Sequence, residues 1–266
     1  MRIPFCKYQG AGNDFILIDN RKKDIVLSES QIIFLCHRHF GIGADGLMLL
    51  ETDEQVDFSM HYFNADGREV SMCGNGGRCT TAFALRLGIF NDRCDFRAVD
   101  GVHSASITVK SNREATVSLQ MNDAHKVLKY QNDYFLDTGV PHVVRFVASM
   151  KSVDVCSEGR AIRYSEDYAP NGTNVNFVEI LPDGLYVRTY ERGVEDETMA
   201  CGTGSVASAI AASLEKGLSC GPQIWKIDTP GGKLEVSFVR KEDIFTKVFL
   251  AGPATLSFEG VVEIDK

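Results

Sequence analysis

The stretch that decides the fold occurs twice: residues 72–88 read MCGNGGRCTTAFALRLG, and residues 200–217 read ACGTGSVASAIAASLEKG. Each copy places Cys-Gly-x-Gly ahead of an Ala-rich stretch that ends in glycine. Because Ala, Leu, Arg and Lys favour helix and Gly ends one, each copy predicts a helix that begins at a cysteine, Cys73 or Cys201. The two copies indicate a duplicated unit. The alternative is coincidence, since Gly-rich helix starts are common.

A cysteine at a helix N-terminus has an unusual chemical environment. The first backbone N–H groups of a helix have no partner within the helix, and they lie at the positive end of its dipole. Both effects favour a thiolate over a thiol. The same N–H groups bind carboxylates, and the glycines let a ligand approach the backbone closely.

Two such sites facing one carboxylate would place a sulfur on each side of its α-carbon. One thiolate can then remove the α-proton while the opposite thiol returns a proton to the other face, which inverts the stereocentre. The helix ends stabilise the charge that builds on the carboxylate, and two coupled thiols can share one proton. This hypothesis makes Cys73 and Cys201 an acid–base pair that needs no pyridoxal phosphate and no metal.

The composition argues against several other classes of protein. The formal net charge is 28 − 36 = −8, which disfavours nucleic acid and anionic membrane as partners. No signal peptide or membrane-spanning apolar run is visible, and the eight cysteines form no C-x-x-C pair and no tandem metal-ligand spacing. We therefore expect a cytoplasmic protein with mostly free thiols. Its 266 residues suit one large domain or two lobes.

The hydrophobic pattern predicts many short strands and few helices. Residues 56–62 alternate between apolar and polar side chains, as a half-buried strand does. A helix over 28–40 would begin with the capping-box pair Ser28 and Gln31 and end at Gly41. Two hairpins are expected, 102–110 with 114–120 and 174–181 with 184–190. The other expected strands are 3–8, 14–19, 224–229, 233–240, 244–250 and 254–258. This mixture predicts an α+β fold rich in antiparallel pairs, with a candidate boundary in the polar patch near 121–126.

One motif suggests a different function. Residues 41–46, GIGADG, match the dinucleotide pattern G-x-G-x-x-G. That motif requires a strand before it and a helix after it, whereas here a predicted helix precedes it and an apolar run follows. We therefore do not expect nucleotide binding.

A set of short motifs in fixed order carries a family resemblance. They are GAGNDF (10–15), RHFGIGAD (38–45), FNADG (63–67), CGNGGR (73–78), PH (141–142), NVNF (174–177), YERG (190–193), ACGTG (200–204), PGG (230–232) and GPA (252–254). With these motifs the chain resembles the diaminopimelate epimerases over essentially its whole length.

The resemblance implies two pseudo-symmetric lobes, each a mixed, mostly antiparallel sheet wrapped around a central helix, with the active site in the interlobe cleft. The N-terminal lobe would comprise residues 1–122 with a return strand at about 255–266, and the C-terminal lobe residues 123–254. The implied reaction interconverts LL- and meso-diaminopimelate for lysine and peptidoglycan precursor synthesis, without a cofactor. The family also implies a homodimer.

The resemblance assigns roles to individual residues. Cys73 and Cys201 would be the acid–base pair, and His142 and Glu191 would tune the pKa values of their thiols. Arg192 is well suited to a bidentate grip on a distal carboxylate. The implied substrate-binding residues are Asn13, Gly46, Asn64, Gly74, Asn75, Asn174, Glu191, Arg192, Gly202 and Thr203.

The chain departs from the family pattern at two positions. Many members have Gln in place of Gly46 and Asn in place of Val140, and both positions usually touch the far end of the substrate. Two alternatives therefore stay open. One is racemisation of another amino acid such as proline or hydroxyproline. The other is a non-catalytic binding protein or thiol redox sensor on the same scaffold.

Overall fold

The structure, a computed structural model that describes residues 1–264, is an α+β fold with many short strands in mixed pairing and few helices. The predicted fold class is confirmed at this level. The chain divides into two compact units, one formed by Met1–Leu119 and the segment from Gly252 onward, the other by Gln120–Ala251. The lobe limits expected from the sequence, 122 and 254, lie close to these. The expected return strand extends to residues 265 and 266, which lie outside the described residues.

The first unit is built from strands that pair in a closed order. Its elements are β1 (Arg2–Gly10), β2 (Asn13–Asp19), α1 (Glu29–Cys36), β3 (Gly46–Glu51), β4 (Phe58–Asn64), β5 (Glu69–Val70), α2 (Gly74–Arg86), β6 (Arg93–Ala98), β7 (Gly101–Val109) and β8 (Glu114–Gln120). The last strand, β18 (Ile244–Glu263), reaches this unit at Gly252 and pairs with both β8 and β1. The order is β1-β2-β3-β4-β6-β7-β8-β18 and back to β1, with parallel pairs at β2–β3 and β4–β6.

The second unit has a sheet of similar order. Its elements are β9 (Ala124–His125), β10 (Leu128–Tyr130), β11 (Asp133–Asp137), β12 (Pro141–Phe146), α3 (Val155–Arg163), β13 (Asn174–Leu181), β14 (Gly184–Glu191), β15 (Asp196–Thr198), α4 (Gly202–Glu215), β16 (Gly221–Thr229), β17 (Gly232–Lys241) and the first part of β18. Short 3-10 turns lie at Met150–Ser152 and Glu166–Tyr168. The order is β10-β11-β12-β13-β14-β16-β17-β18, with parallel pairs at β12–β13 and β14–β16.

The two units repeat one sequence of elements. Each has two strands, a helix, three strands, a second helix and three more strands, from β1 to β8 in the first and from β11 to β18 in the second. The parallel pairs fall at the same two places in both. The short repeat seen at the cysteines is therefore part of a longer structural repeat.

The second helix of each unit, α2 or α4, is buried along most of its length. Its hydroxyl side chains bond back to carbonyls of the same helix, as Thr80 does to Gly76 (3.0 Å) and Ser208 to Gly204 (2.7 Å). These buried hydroxyls are thereby satisfied, and Ser213 of α4 is an exception among the described residues. The small side chains allow strands to pack closely against these helices, which explains why Ala-rich sequences occupy these positions.

Two predicted elements differ in extent. The helix expected over 28–40 has the predicted capping box but ends at Cys36. It ends there because Nδ1 of His37 accepts hydrogen bonds from the N–H groups of His39 (3.1 Å) and Phe40 (3.2 Å), which compete with the helical pattern.

The strands expected at 244–250 and 254–258 are one strand, β18. Gly252 and Pro253 do not interrupt it, because they pair with Val117 and Thr116 of β8. The predicted hairpins β7–β8 and β13–β14 are confirmed.

Candidate active site

The expected substrate-binding residues of the first unit lie at neighbouring strand ends. Asn13 begins β2, Gly46 begins β3 and Asn64 ends β4. Strand β2 is parallel to β3, and β4 runs antiparallel to it with Gly46 opposite Asn64. These three ends therefore share one edge of the sheet.

The second unit brings its expected residues to the equivalent strand ends. His142 lies at the start of β12, Asn174 begins β13 and Glu191 ends β14. Strands β12 and β13 are parallel with His142 opposite Asn174, and β14 runs antiparallel to β13. The structural repeat therefore places expected site residues at the same three strand ends in each unit.

Cys73 and Cys201 occupy the same position at the starts of α2 and α4. Each precedes the first helical residue and has an extended backbone, with φ −94° and ψ 130° at Cys73 and φ −110° and ψ 116° at Cys201. Neither side chain forms a capping hydrogen bond to its helix. The first N–H groups of each helix, from Gly74 and Gly202 onward, have no acceptor within the helix. They are suited to hold a carboxylate.

Asn75 and Asn13 hold each other in a fixed orientation beside Cys73. Nη2 of Arg78 donates to Oδ1 of Asn75 (2.7 Å), Nδ2 of Asn75 donates to Oδ1 of Asn13, and Nδ2 of Asn13 donates to Oδ2 of Asp45 (3.0 Å). A guanidinium can only donate and a carboxylate can only accept. The positions of the oxygen and the nitrogen in both amide groups are therefore determined. The structure thus joins two expected substrate-binding residues.

The guanidinium of Arg78 is completely buried. Besides Asn75 it donates to the backbone carbonyls of Gly74 (3.4 Å) and Pro253 (3.4 Å), and within residues 1–264 it forms no ion pair with a carboxylate. Burial lowers the pKa of Arg78, and the neighbouring Cys79 and Cys73 act in the opposite direction.

The charge of Arg78 favours an anion at Cys73. Cys79 is not that anion, because complete burial raises the pKa of its thiol to about 12. The residue five positions after Cys201 is Val206, whereas Arg78 lies five positions after Cys73. The second unit therefore lacks an equivalent cation at this point of its helix.

Cys201 is connected to His142 through a threonine. The Sγ of Cys201 lies 3.5 Å from Oγ1 of Thr203, which lies 2.9 Å from Nε2 of His142. Burial, aided by the charge of Arg192, lowers the pKa of His142 to about 3. His142 is therefore a neutral imidazole at neutral pH, linked to Cys201 by way of the threonine hydroxyl.

The segment after β14 holds the other expected residues of the second unit. Oδ1 of Asn174 accepts from the backbone N–H of Arg192 (2.8 Å), which ties this segment to the start of β13. Nη1 of Arg192 donates to the carbonyl of Asn171 (3.4 Å). Glu191 accepts from the hydroxyl of Thr198 (2.9 Å), and burial raises the pKa of its carboxyl.

The structure gives a reason for the departure at Gly46. A Cβ at this position would lie 2.5 Å from Cε2 of Tyr62 and 2.6 Å from the carbonyl oxygen of Phe63. The ring of Tyr62 therefore fills the space that a longer side chain would need. At the second departure, the backbone carbonyl of Val140 accepts from the N–H of Thr138 (3.2 Å).

The environment of several other cysteines keeps them protonated. Burial raises the pKa of Cys36 and of Cys94 to about 12, as it does for Cys79. Cys156 is exposed, and its hydrogen bond to Asp196 raises its pKa. These thiols are poor proton acceptors at neutral pH.

The described part of the chain lacks two other features, a metal-binding cluster and a membrane-spanning helix. Residues 1–264 contain no group of three or more His, Cys, Asp or Glu side chains placed to hold a metal ion. No helix in the same residues is long and apolar enough to cross a membrane.

Comparison with known proteins identifies the family. The sequence model of the family described as diaminopimelate epimerase matches residues 5–127 and 134–256. The chain belongs to the diaminopimelate epimerase family. A member from Flavobacterium psychrophilum is 49% identical over 96% of this chain and 98% of its own length. One from Chlorobaculum tepidum is 43% identical over 96% of this chain and 99% of its own.

Solved structures of more distant proteins share the fold. A PhzF-family phenazine biosynthesis protein from Bacillus anthracis has a TM-score of 0.78 at 16% identity, covering 99% of this chain and 100% of that one. A hydroxyproline epimerase from Agrobacterium vitis has a TM-score of 0.68 at 13% identity, covering 100% and 93%. At these identities the likeness concerns the fold.

Three residues near the site were not singled out from the sequence. Arg78 and Asn176 lie inside the family motifs CGNGGR and NVNF, and Tyr62 lies on the buried face of a predicted strand. Their residue types and spacing contain no signal for the contacts they make, because those contacts join segments distant in sequence or depend on burial.

Proposed function

We propose that this protein interconverts LL- and meso-diaminopimelate by two-base proton transfer, in lysine and peptidoglycan precursor synthesis. The observation that carries the proposal is the pair of equivalent cysteines at the starts of α2 and α4, each beside polar residues at equivalent strand ends. Membership of the diaminopimelate epimerase family supports the substrate.

The reaction is a single inversion at one α-carbon. One cysteine thiolate takes the α-proton, so that an S–H bond forms while the Cα–H bond breaks. The electron pair delocalises into the α-carboxylate, where helix N–H groups stabilise it. The thiol of the other cysteine then gives its proton to the opposite face and becomes the thiolate. The step requires no oxidant and no cofactor.

Both cysteines must be able to exist as thiolates, because the reaction runs in both directions. The buried charge of Arg78 supports a thiolate at Cys73. The hydroxyl of Thr203 can support one at Cys201. The proposed roles of His142 and Glu191 are to tune the two thiol pKa values.

We infer that both units act on one substrate molecule as pseudo-symmetric lobes, each with its sheet around a central helix, and that the reacting carbon lies in a cleft between them. The family resemblance supports this arrangement. The reacting carboxylate would be bound at Gly74, Asn75, Gly202 and Thr203. The remainder of the substrate would be bound by Asn13, Gly46, Asn64, Asn174, Glu191 and Arg192.

The proposal is tested by incubating the purified protein with LL-diaminopimelate in deuterated water. The first meso product should carry one deuterium, at the inverted α-carbon. Cys73→Ser and Cys201→Ser should each lower kcat by at least about a thousandfold, since each removes one of two acid–base groups. Cys156→Ser is the matched control and should retain full activity, because Cys156 is exposed on α3.

Other outcomes point to the alternatives. Deuterium in proline or hydroxyproline, with none in diaminopimelate, would assign a different racemase. A reducible bond between Cys73 and Cys201 without any proton exchange would indicate a redox sensor. Full activity of either cysteine variant would overturn the two-base mechanism.

We also propose that the protein is a homodimer, on the strength of the family resemblance. Sedimentation equilibrium should give twice the mass of one chain, and a monomer mass across the accessible concentration range would contradict this.

A further inference from the structure

A chain of hydrogen bonds leads from buried side chains, through the half-buried Thr203, to Cys201. Asn176, in β13, is central to it. Its Nδ2 donates to the backbone carbonyl of Val143 (2.9 Å), and its Oδ1 accepts from the hydroxyl of Thr189 (2.9 Å). Because a backbone carbonyl can only accept, the amide must point its NH2 group towards Val143. Asn176 is 0% exposed, so water does not compete for these bonds.

The orientation of Asn176 decides which nitrogen of His142 carries the proton. The same Nδ2 lies 3.1 Å from Nδ1 of His142, so Nδ1 must accept and is unprotonated. In the neutral ring the proton is then on Nε2, which lies 2.9 Å from Oγ1 of Thr203 and donates to it. In a protonated ring, the N–H of Nδ1 would face the NH2 group of Asn176, and two hydrogen-bond donors would repel each other.

The tautomer of His142 in turn decides the direction of the next bond. The hydroxyl oxygen of Thr203 accepts from His142, so its own hydrogen can point to the Sγ of Cys201, 3.5 Å away. We propose that Asn176 is a positioning residue that fixes the tautomer of His142 and thereby directs the Thr203 hydroxyl proton to the sulfur of Cys201, which favours the thiolate.

The packing around Asn176 supports a fixed position. A Cβ at Gly204 would lie 2.2 Å from Oδ1 of Asn176, so the amide sits directly against the first turn of α4. Only glycine at position 204 permits this approach. Two further charged or titratable groups bear on the site: Arg192, whose charge acts on His142, and Glu191, half-buried at the end of β14.

The inference rests on the proposed function, because this chain of hydrogen bonds, called the relay below, ends at Cys201, which exchanges protons in the proposed reaction. It also has consequences that need no substrate. In protein labelled with nitrogen-15 at histidine, the native His142 resonances should show the Nε2–H tautomer, assigned by their loss in His142→Gln. In Asn176→Asp, the carboxylate accepts from Nδ1–H, and the resonances should change to the Nδ1–H tautomer. Asn176→Leu is a second variant, which removes the donor without adding a charge.

The thiolate is measured separately, from its ultraviolet absorbance during a pH titration, with the matching Cys201→Ser protein subtracted. In Asn176→Asp the Thr203 hydroxyl should turn towards His142, and the pKa of Cys201 should rise by about one unit. That change corresponds to about tenfold less thiolate near neutral pH. Thr203→Val should raise the pKa of Cys201 in the same way but leave the His142 tautomer unchanged.

Ser208→Ala is the matched control. It removes a buried hydroxyl from the same helix, one that bonds to the carbonyl of Gly204 (2.7 Å) and not to the relay. It should change neither readout. A native Nδ1–H tautomer, or an unaltered Cys201 titration in both Asn176→Asp and Thr203→Val, would overturn the proposal. If the unaltered protein incorporated no deuterium while both readouts were as expected, that result would instead contradict the proposed function.

Discussion

At the scale of single residues, Arg78 is the clearest link between burial and chemistry, because among residues 1–264 its charge forms no ion pair with a carboxylate. Its guanidinium is completely buried and bonds to neutral oxygens. Burying a charge costs free energy because the charge loses its hydration, and at Arg78 hydrogen bonds to these neutral oxygens offset part of that cost.

We predict that Arg78→Met lowers kcat by about tenfold or more, and that the loss of its buried hydrogen bonds lowers the free energy of unfolding by about 1–3 kcal/mol. The variant removes the cation that favours a thiolate at Cys73, so the pKa of that thiol should rise by about one unit. Arg78→Lys should retain part of the activity. The pH profile of kcat and urea unfolding provide the two measurements.

The control for Arg78 is Arg86→Met on the same helix. Arg86 is half exposed and pairs with Glu259 on the surface, so its loss should change stability by about 1 kcal/mol or less and leave the pH profile unaltered. An unaltered pH profile in Arg78→Met as well would show that the buried charge does not act on Cys73.

His142 makes a prediction about stability and pH. Burial and the charge of Arg192 lower its pKa in the folded state to about 3, while the unfolded value is about 6.5. Between these values the unfolded chain binds a proton that the folded protein does not. The free energy of unfolding should therefore fall with decreasing pH below about 6.5, by up to about 1.4 kcal/mol per pH unit from this group.

The measurement compares urea unfolding of the protein and of His142→Gln between pH 7 and pH 4. In the variant, the free energy of unfolding should depend less steeply on pH, because the contribution of His142 is gone. The contribution of carboxylates such as Asp14, whose pKa is lowered to about 2, should remain. Equal slopes in the two proteins would contradict a buried neutral imidazole.

At the scale of elements, α4 shows how a helix of small polar residues tolerates burial. Ser205 and Ser208 bond to carbonyls one turn earlier, at 2.9 and 2.7 Å. Ser213 differs, because its buried hydroxyl has no hydrogen-bond partner among the described residues. An unsatisfied buried hydroxyl costs about 1–3 kcal/mol, whereas alanine is the best helix former.

We predict that Ser213→Ala leaves the free energy of unfolding unchanged or raises it by about 1 kcal/mol. Ser208→Ala, which removes a satisfied hydroxyl from the same helix, should not stabilise the protein by this route. Thermal and urea unfolding of the two variants under identical conditions give the comparison. A clear loss of stability in Ser213→Ala alone would mean that its hydroxyl is hydrogen-bonded in solution.

At the scale of the whole molecule, β18 connects the two units through the chain. Its first part pairs with β17 in the second unit, and from Gly252 onward it pairs with β8 and β1 in the first. The first unit therefore cannot close its order of strands without residues from the far end of the sequence.

We predict that a chain truncated after Ala251 loses the fold of its first unit. Strands β1 and β8 would be left with unpaired edges, and the core around α2 would be exposed to water. Cys79, which is fully buried, should then react rapidly with a thiol reagent, whereas it should stay unreactive in the full chain. Continued protection of Cys79 in the truncated chain would contradict this role of β18.

The sequence predicts some features at each of these scales and not others. Hairpins such as β7–β8 and the capping box of α1 follow from local patterns, because their partners are a few residues apart. The early end of α1 depends on the ring of His37, and the continuity of β18 depends on its pairing with β8. A side-chain hydrogen bond decides the first feature and pairing with a distant strand decides the second, and hydrophobic periodicity predicts neither of them.

What the sequence determined by itself is the pair of cysteine-led helices, the α+β class and the family, since these depend on residue types and short spacings. The tertiary structure alone decided that Arg78 is a buried cation, that Tyr62 fills the space beside Gly46, and that Asn176 is hydrogen-bonded to Nδ1 of His142. Burial and hydrogen-bond direction arise from strands that meet across long stretches of chain. The sequence alone identifies Cys73 and Cys201 as the candidate pair, and the tertiary structure determines which groups surround each sulfur.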